Sequence, residues 1–314
     1  MAVLTSIKQL HYLVAIADHL NFTRAAEACF VTQPTLSAGL KELERILGSR
    51  LVERNKQTVL MTPNGLEVTR RARAILTATQ DLVEIAAGST QPMTGLLRLG
   101  VIPTIAPFLL PACLGLLRRR YPALRLALRE DVTANLITRV EDGTLDLALI
   151  ALPFNTAHLL VTPLFDDELW LVAQKGDPLL KARSMTLTPE LIDRMLILEE
   201  GHCLRDHTLI ACGAAPPAIH GGVEATSLLT LVQMIASGLG IGLVPAMAVK
   251  GGLTRSARLV VRPLPMPRPK RTIALVARRT TTRAADMAAL VAAIQEIDSA
   301  GAGHIGGDRA VVAR

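Results

Sequence analysis

The sequence predicts an α/β protein in two parts, a small helical module at the N-terminus and a longer region of alternating strands and helices behind it. Three observations predict this. Residues 7–62 carry short amphipathic stripes that end in a basic hairpin, and residues 63–87 carry one unbroken helical pattern. From residue 96 onward, apolar runs of strand length alternate with helix-period segments, the pattern of a sheet covered on both faces.

Composition sets the outer limits. A chain of 314 residues, half of them hydrophobic and 19% charged, is long enough for two or three domains with cores of their own. Lys8 and Asp18 interrupt any secretion signal. The longest uncharged apolar stretch, Met234 to Val249, is broken by three glycines and a proline, which is too short and too kinked for a membrane span. The expectation is a cytoplasmic protein, where a cysteine pair points to metal or redox chemistry before a structural disulfide. A net charge of +7 favours an anionic partner, double-stranded DNA first. The segment from Lys250 to Arg283 alone holds ten Lys or Arg and no Asp or Glu, leaving −3 for the rest, and a solvated basic face accounts for it. Aromatic residues at 3% argue against a platform for stacking single strands.

Element by element, "IKQLHYLVAIADHL" places Leu10, Leu13, Val14 and Ala17 on one buried helix face. In "NFTRAAEACF", Thr23 is expected to cap a short helix kept slim by Ala25, Ala26 and Ala28. The next helix opens with Thr32 as N-cap and Pro34 in its first turn. It buries Leu36, Leu40, Leu43 and Leu47 and stops at Gly48. Gln33, Pro34, Thr35, Ser37 and Lys41 then form the leading face for DNA, since such side chains bond base edges and phosphates when a helix start enters the major groove. "RLVERNKQTVLMT" is read as a hairpin turning at residues 55–57, with Arg50, Arg54 and Lys56 against the DNA backbone as a wing. From Thr62-Pro63, a helix to about Ala87 carries Val68, Ala72, Ile75, Thr79, Leu82 and Ala86 in steps of four and three, the spacing of a coiled-coil seam between two chains.

The stretch "FTRAAEACFVTQPTLSAGLKELERILGSRLVER", with the long helix after it, resembles the winged helix–turn–helix and linker helix of LysR-type transcriptional regulators. The expected organisation is a DNA-binding domain at 1–62, a linker and dimerisation helix at 63–88, a regulatory domain at 89–300 and a flexible tail at 301–314. Within the regulatory domain, "LLRLGVI", "LRLALRE" and "LDLALIAL" read as strands, with helices between them. The layout resembles the family's effector module, two lobes like a periplasmic binding protein. Crossovers are expected near Thr162–Glu168 and Leu264–Thr272, with the ligand cleft between the lobes.

One segment is narrower in its likeness. "EEGHCLRDHTLIACG", with "GVIPTIAPFLLP" and "EATSLLTLVQMIASGLGIGLVPA", resembles the peroxide-responsive members of that family. The resemblance implies that Cys203 reacts with hydrogen peroxide and Cys212 resolves it to a disulfide. It also implies a peroxide pocket of Thr104, Thr133, His202, Arg205, Asp206 and Arg271. The implied partners are double-stranded DNA, hydrogen peroxide, a dimer of dimers, RNA polymerase and a resetting thiol reductant; no cofactor or metal is implied. The residues bear on the same chemistry: a thiolate attacks peroxide, neighbouring cations favour it, and Arg205 and His202 stand beside Cys203. If residues 203–212 are helical, the cysteines lie roughly 13 Å apart along the axis and on opposite faces. A disulfide then requires local structure to break. Four alternatives remain open: two buried small hydrophobes, a zinc site with His202 at unsuitable spacing, a regulator taking a small anionic metabolite in the cleft, and a thiol peroxidase. Cys29 and Cys113 are assigned to core packing.

Overall fold

The computed structural model describes residues 5–54, 58–86, 91–178, 186–213, 224–255 and 258–302. It divides into an N-terminal unit and a C-terminal unit.

In the N-terminal unit, α1 (Ile7–His19), α2 (Phe22–Ala28) and α3 (Gln33–Leu47) pack around Leu13, Ile16, Ala25, Leu36 and Leu43. Ser6 and Gln9 close a capping box on α1. Asn21, not Thr23, caps α2: its side chain accepts from the amides of Thr23 and Arg24 at 2.9 and 3.0 Å. Asn21 is the last extended residue before the helix, so only its side chain folds back over the first turn. Thr32 caps α3, and Gly48 ends it at φ +63°. Leu47 is exposed, which corrects its place in the inward stripe; the helix has passed the end of the core by then.

Strands β1 (Val52–Arg54) and β2 (Val59–Met61) pair antiparallel. The turn between them and Lys56 lie outside the described residues, as does the side chain of Arg54. The Thr62 hydroxyl accepts from the Gly65 amide at 2.9 Å and donates to the Arg50 carbonyl at 2.9 Å, so one residue caps α4 (Pro63–Ala86) and ties it to the hairpin. Glycine is required at position 65, because a Cβ there would stand 1.9 Å from the Leu51 carbonyl oxygen. The expected seam on α4 divides in two. Val68 and Ala72 pack into their own module against α1, whereas Ile75 and Leu82 are 47% and 66% exposed. A period of 3.5 continues across both stretches, so spacing alone does not register where the neighbouring helix ends.

The C-terminal unit holds one seven-stranded sheet that passes through two lobes. In the first lobe, β3 (Gly95–Val101) pairs parallel with β4 (Leu124–Glu130) and β5 (Leu147–Leu152). Helices α5 (Ala106–Arg120), α6 (Thr133–Glu141) and α11 (Ala284–Ala302) accompany these strands. The 16-residue β6 (Leu159–Gln174) is the crossing strand. Its first part pairs antiparallel with β9 (Lys270–Arg278), and from Leu169 it pairs with β7 (Gly242–Pro245) and β8 (Leu259–Pro263) in the second lobe. The return crossing is the strand-free segment 264–269. The second lobe adds α7 (Pro189–Ile192), α8 (Cys203–Ala211), α9 (Leu228–Ala236) and α10 (Ala246–Lys250).

Each lobe has its own apolar core, one around Leu99, Leu149 and Leu290, the other around Leu171, Leu231 and Ile235. The segment that leads into β3 is not solvent-facing throughout. Met93 is buried in the first core, and its amide donates to the Asp286 carboxylate. Residues 88–90 and 303–314, including nearly all of the expected tail, lie outside the described residues. Among the described residues, no helix is long and apolar enough to cross a membrane.

Candidate functional site

On the N-terminal unit, the start of α3 projects Pro34, Thr35 and Lys41 to solvent, with Gln33 and Ser37 partly covered, and Arg50 is exposed before the hairpin. The Thr35 hydroxyl is already engaged, 2.8 Å from that of Thr32 in the cap. A helix N-terminus with exposed amide ends and polar side chains is suited to phosphates and base edges.

In the C-terminal unit, the two cysteines sit at the two ends of α8. Cys203 is its first residue and Cys212 its C-cap. Both are free thiols and both are buried. They belong to different cores: Cys203 packs with the first lobe, while Cys212 packs with the second together with Leu204. Helical periodicity explains the split, since nine steps of about 100° turn the second side chain to the opposite face. The expected geometry holds: a helix of this length separates the Cα atoms by roughly 13 Å, against the 5.5–6 Å typical of a disulfide.

The surroundings of Cys203 correct the expected source of positive charge. Arg205 lies two residues on, about 200° around the helix, and turns away from the sulfur. Its Nη1 binds Glu224 Oε1 at 2.5 Å and the Leu198 carbonyl at 3.0 Å. His202 occupies the N-cap position without a capping bond, its Nε2 3.8 Å from Glu199. The cation that acts on Cys203 is Arg271, brought in by β9.

Arg271 is 1% exposed. Its Nη2 and Nε bind Asp167 Oδ2 at 3.0 and 3.2 Å, and Nη1 donates to Thr104 Oγ1 at 2.6 Å. The Thr104 carbonyl takes a further bond from Nη2 at 3.1 Å. The register explains the pairing: Asp167 on β6 stands opposite Arg271 on β9, with Glu168 opposite Lys270 beside it. A buried guanidinium is tolerated only with such a counter-charge, and removing one partner of a buried pair typically costs about 3–5 kcal/mol. Asp167, which the sequence reading missed, is signalled by the acidic run 166–168 lying antiparallel to the basic run 270–271.

Burial is the largest influence on the Cys203 thiol and holds its pKa above the ordinary value. Arg271 and Thr133 pull it back down, and the exposed Asp206 opposes them. The Thr133 hydroxyl is buried, close enough to favour the thiolate but short of a formed hydrogen bond. Burial also raises Cys29, Cys212 and Cys113, the last to about 11. Only at Cys203 do a cation and a hydroxyl oppose burial. The arrangement is a buried thiol beside a fixed guanidinium and the Thr133 hydroxyl, with Thr104 bound to the same guanidinium, donors of the kind that stabilise an attacking sulfur and a departing oxygen. Among the described residues no cluster of three metal-ligating side chains occurs.

A raised pKa leaves little thiolate at neutral pH. In a protein with Cys203 as its single cysteine, alkylation by iodoacetamide is therefore expected to keep accelerating past pH 9. Thr133→Val is expected to slow it by about tenfold or more, the loss of the hydrogen bond this hydroxyl can give once the sulfur is charged. A rate that levels off by pH 8, or is unchanged in Thr133→Val, contradicts this description of the site.

Comparison with known proteins agrees with the geometry. Residues 7–66 match the model for the bacterial regulatory helix-turn-helix protein, lysR family, and residues 90–298 match the LysR substrate binding domain. The HTH-type transcriptional regulator EstR of Acinetobacter baylyi is 42% identical, covering 90% of this chain and 93% of the relative. A probable hydrogen peroxide-inducible genes activator of Streptomyces viridosporus is 41% identical, covering 93% and 94%. Among solved structures, a full-length OxyR variant from Pseudomonas aeruginosa superposes with a TM-score of 0.77 at 35% identity, covering 93% of this chain and 98% of that one. The chain belongs to the LysR family of bacterial helix–turn–helix regulators, within the group that includes the hydrogen peroxide-inducible OxyR activators.

Proposed function

We propose that the protein senses hydrogen peroxide through Cys203 and Cys212 and, as a DNA-bound oligomer, activates antioxidant genes in response. The observation that carries this reading is the placement of the two thiols in separate cores at opposite ends of one helix. Such a pair cannot act as a staple in the reduced fold, and its oxidation has to rearrange the segment between them.

The chemistry follows from the site. The Cys203 thiolate attacks one peroxide oxygen, an S–O bond forms, the O–O bond breaks, and the leaving hydroxide takes one proton to depart as water. The sulfur is then a sulfenic acid. Arg271, Thr104 and Thr133 supply donors for the oxygens. Cys212 attacks the oxidised sulfur, expelling a second water and closing the disulfide. A thiol reductant restores both thiols. One oxidation per signalling cycle serves a regulator; a thiol peroxidase would turn over, and the N-terminal module has no place in that role.

The exposed apolar face of α4 at Ile75 and Leu82 supports pairing of two chains, and two such pairs would carry four DNA-reading helices. Contact with RNA polymerase and a cytoplasmic setting belong to the same proposal.

The direct test is peptide mapping after brief exposure to low peroxide, with free thiols blocked. A Cys203–Cys212 linkage is expected, and Cys212→Ser is expected to stop at the sulfenic acid or its overoxidation products. Rapid oxidation centred on Cys113, or a normal response in Cys203→Ser, sinks the proposal. On DNA, Arg50→Ala is expected to weaken binding to all sequences and to reduce the salt slope by about one unit. Gln33→Ala is expected to alter preference at particular bases, and equal losses on every operator variant would contradict the assigned face.

A further inference from the structure

Between the two cysteines on α8 lies His207, a residue that the peroxide chemistry above does not use. It is 5% exposed, and its Nε2 lies 2.8 Å from the carbonyl oxygen of Leu152 at the end of β5. A carbonyl only accepts, so Nε2 carries the proton and donates. His207 is one helical turn beyond Cys203 and shares its face. The first half of α8 is thus held to the first lobe at two points, Cys203 by packing and His207 by a hydrogen bond. Leu204 and Cys212 hold the helix to the second lobe. Closing the disulfide requires α8 to unwind, and unwinding has to release the His207 bond.

We infer that His207 is a positioning residue that latches α8 in its reduced, helical form and so sets how readily the oxidised Cys203 is resolved by Cys212. The inference rests on the peroxide-sensing reading and adds to it a control over the second step. Burial, then Arg271, Thr133 and Asp206, set the charge of the Cys203 sulfur, so the first step is expected to depend little on the latch.

Charge on the ring acts on the same latch. Burial lowers the pKa of His207, and the positive Arg271 on β9 lowers it further. The Leu152 and Cys203 carbonyls and Asp206 oppose this, and Lys270 lines the same groove as His207. A base whose pKa is depressed in the seated state stabilises that state above its free value. That contribution is lost as pH falls below about 6.5, because the released ring takes up the proton.

The test uses the full-length protein as wild type, His207→Leu and His207→Gln, the last keeping a donor near the Nε2 position without titrating. Sulfenic acid formation at Cys203 is followed in a Cys212→Ser background, and the dithiol–disulfide equilibrium is followed by mass mapping in dithiothreitol buffers. His207→Leu is expected to leave the first step within about twofold and to shift the equilibrium toward the disulfide about threefold to tenfold, as for one neutral hydrogen bond. His207→Gln is expected to restore the wild-type value at pH 7.5. As pH falls below 6.5, wild type should move toward the disulfide relative to His207→Gln. Coincident equilibria for wild type and His207→Leu, or His207→Gln behaving as His207→Leu, overturn the latch. If His207→Leu does not fold, the pH comparison of wild type with His207→Gln decides alone. Absence of any Cys203–Cys212 bond in wild type would instead defeat the peroxide-sensing reading itself.

Discussion

A nine-residue helix that begins at one cysteine and is capped by another places their side chains on opposite faces, and in this protein those faces meet different hydrophobic cores. Everything at the site depends on that constraint. The helix is a shared wall between two lobes, and its register decides that Cys203 sits in the first core and Cys212 in the second. Oxidation to a disulfide sets covalent chemistry against this packing, because the bond needs a Cα separation that the helix does not allow. The reduced fold is consequently held by burial and hydrogen bonding, and the oxidised one has to give up part of both.

The charged part of the site obeys a second constraint. Arg271 is carried into the protein by β9, next to the sulfur whose anion it favours, and is tolerated there because Asp167 faces it across the β6–β9 register. Beside this pair Lys270 binds Asp166 diagonally across the same two strands, while Arg268 in the return crossing binds Glu168. Part of the basic segment from 250 to 283 is thereby neutralised inside its own lobe pair. The expectation of a solvated basic face holds only in part: Arg271 is buried, and Arg278 donates to the carbonyls of Val140 and Leu145.

Local signals in the sequence were enough for most of the helical module, though not for the cap of α2, which is Asn21. Thr32, Pro34 and Gly48 mark the ends of α3 by capping chemistry that acts over three or four residues, and Leu36, Leu40 and Leu43 mark its buried face. The helical state of residues 203–211, and with it the opposed faces of the cysteines, followed from the same periodicity. What was not legible depends on contacts distant in sequence. Arg205 is adjacent to Cys203 in the chain but is drawn off by Glu224, and the cation that replaces it arrives from 68 positions away on another strand. The burial of Val68 and Ala72 depends on where α1 crosses α4, which a heptad pattern does not encode. His207 has no pattern at all; its importance comes from the Leu152 carbonyl that the fold places opposite it.

The central claim is that disulfide formation and the α8 helix exclude one another, and amide hydrogen exchange across residues 203–212 measures this most directly. In the reduced protein these amides are expected to be protected as part of a packed helix. In protein oxidised to the Cys203–Cys212 disulfide they are expected to lose that protection, while strands β5 and β9 keep theirs. Equal protection of residues 203–212 in both redox states would contradict the account.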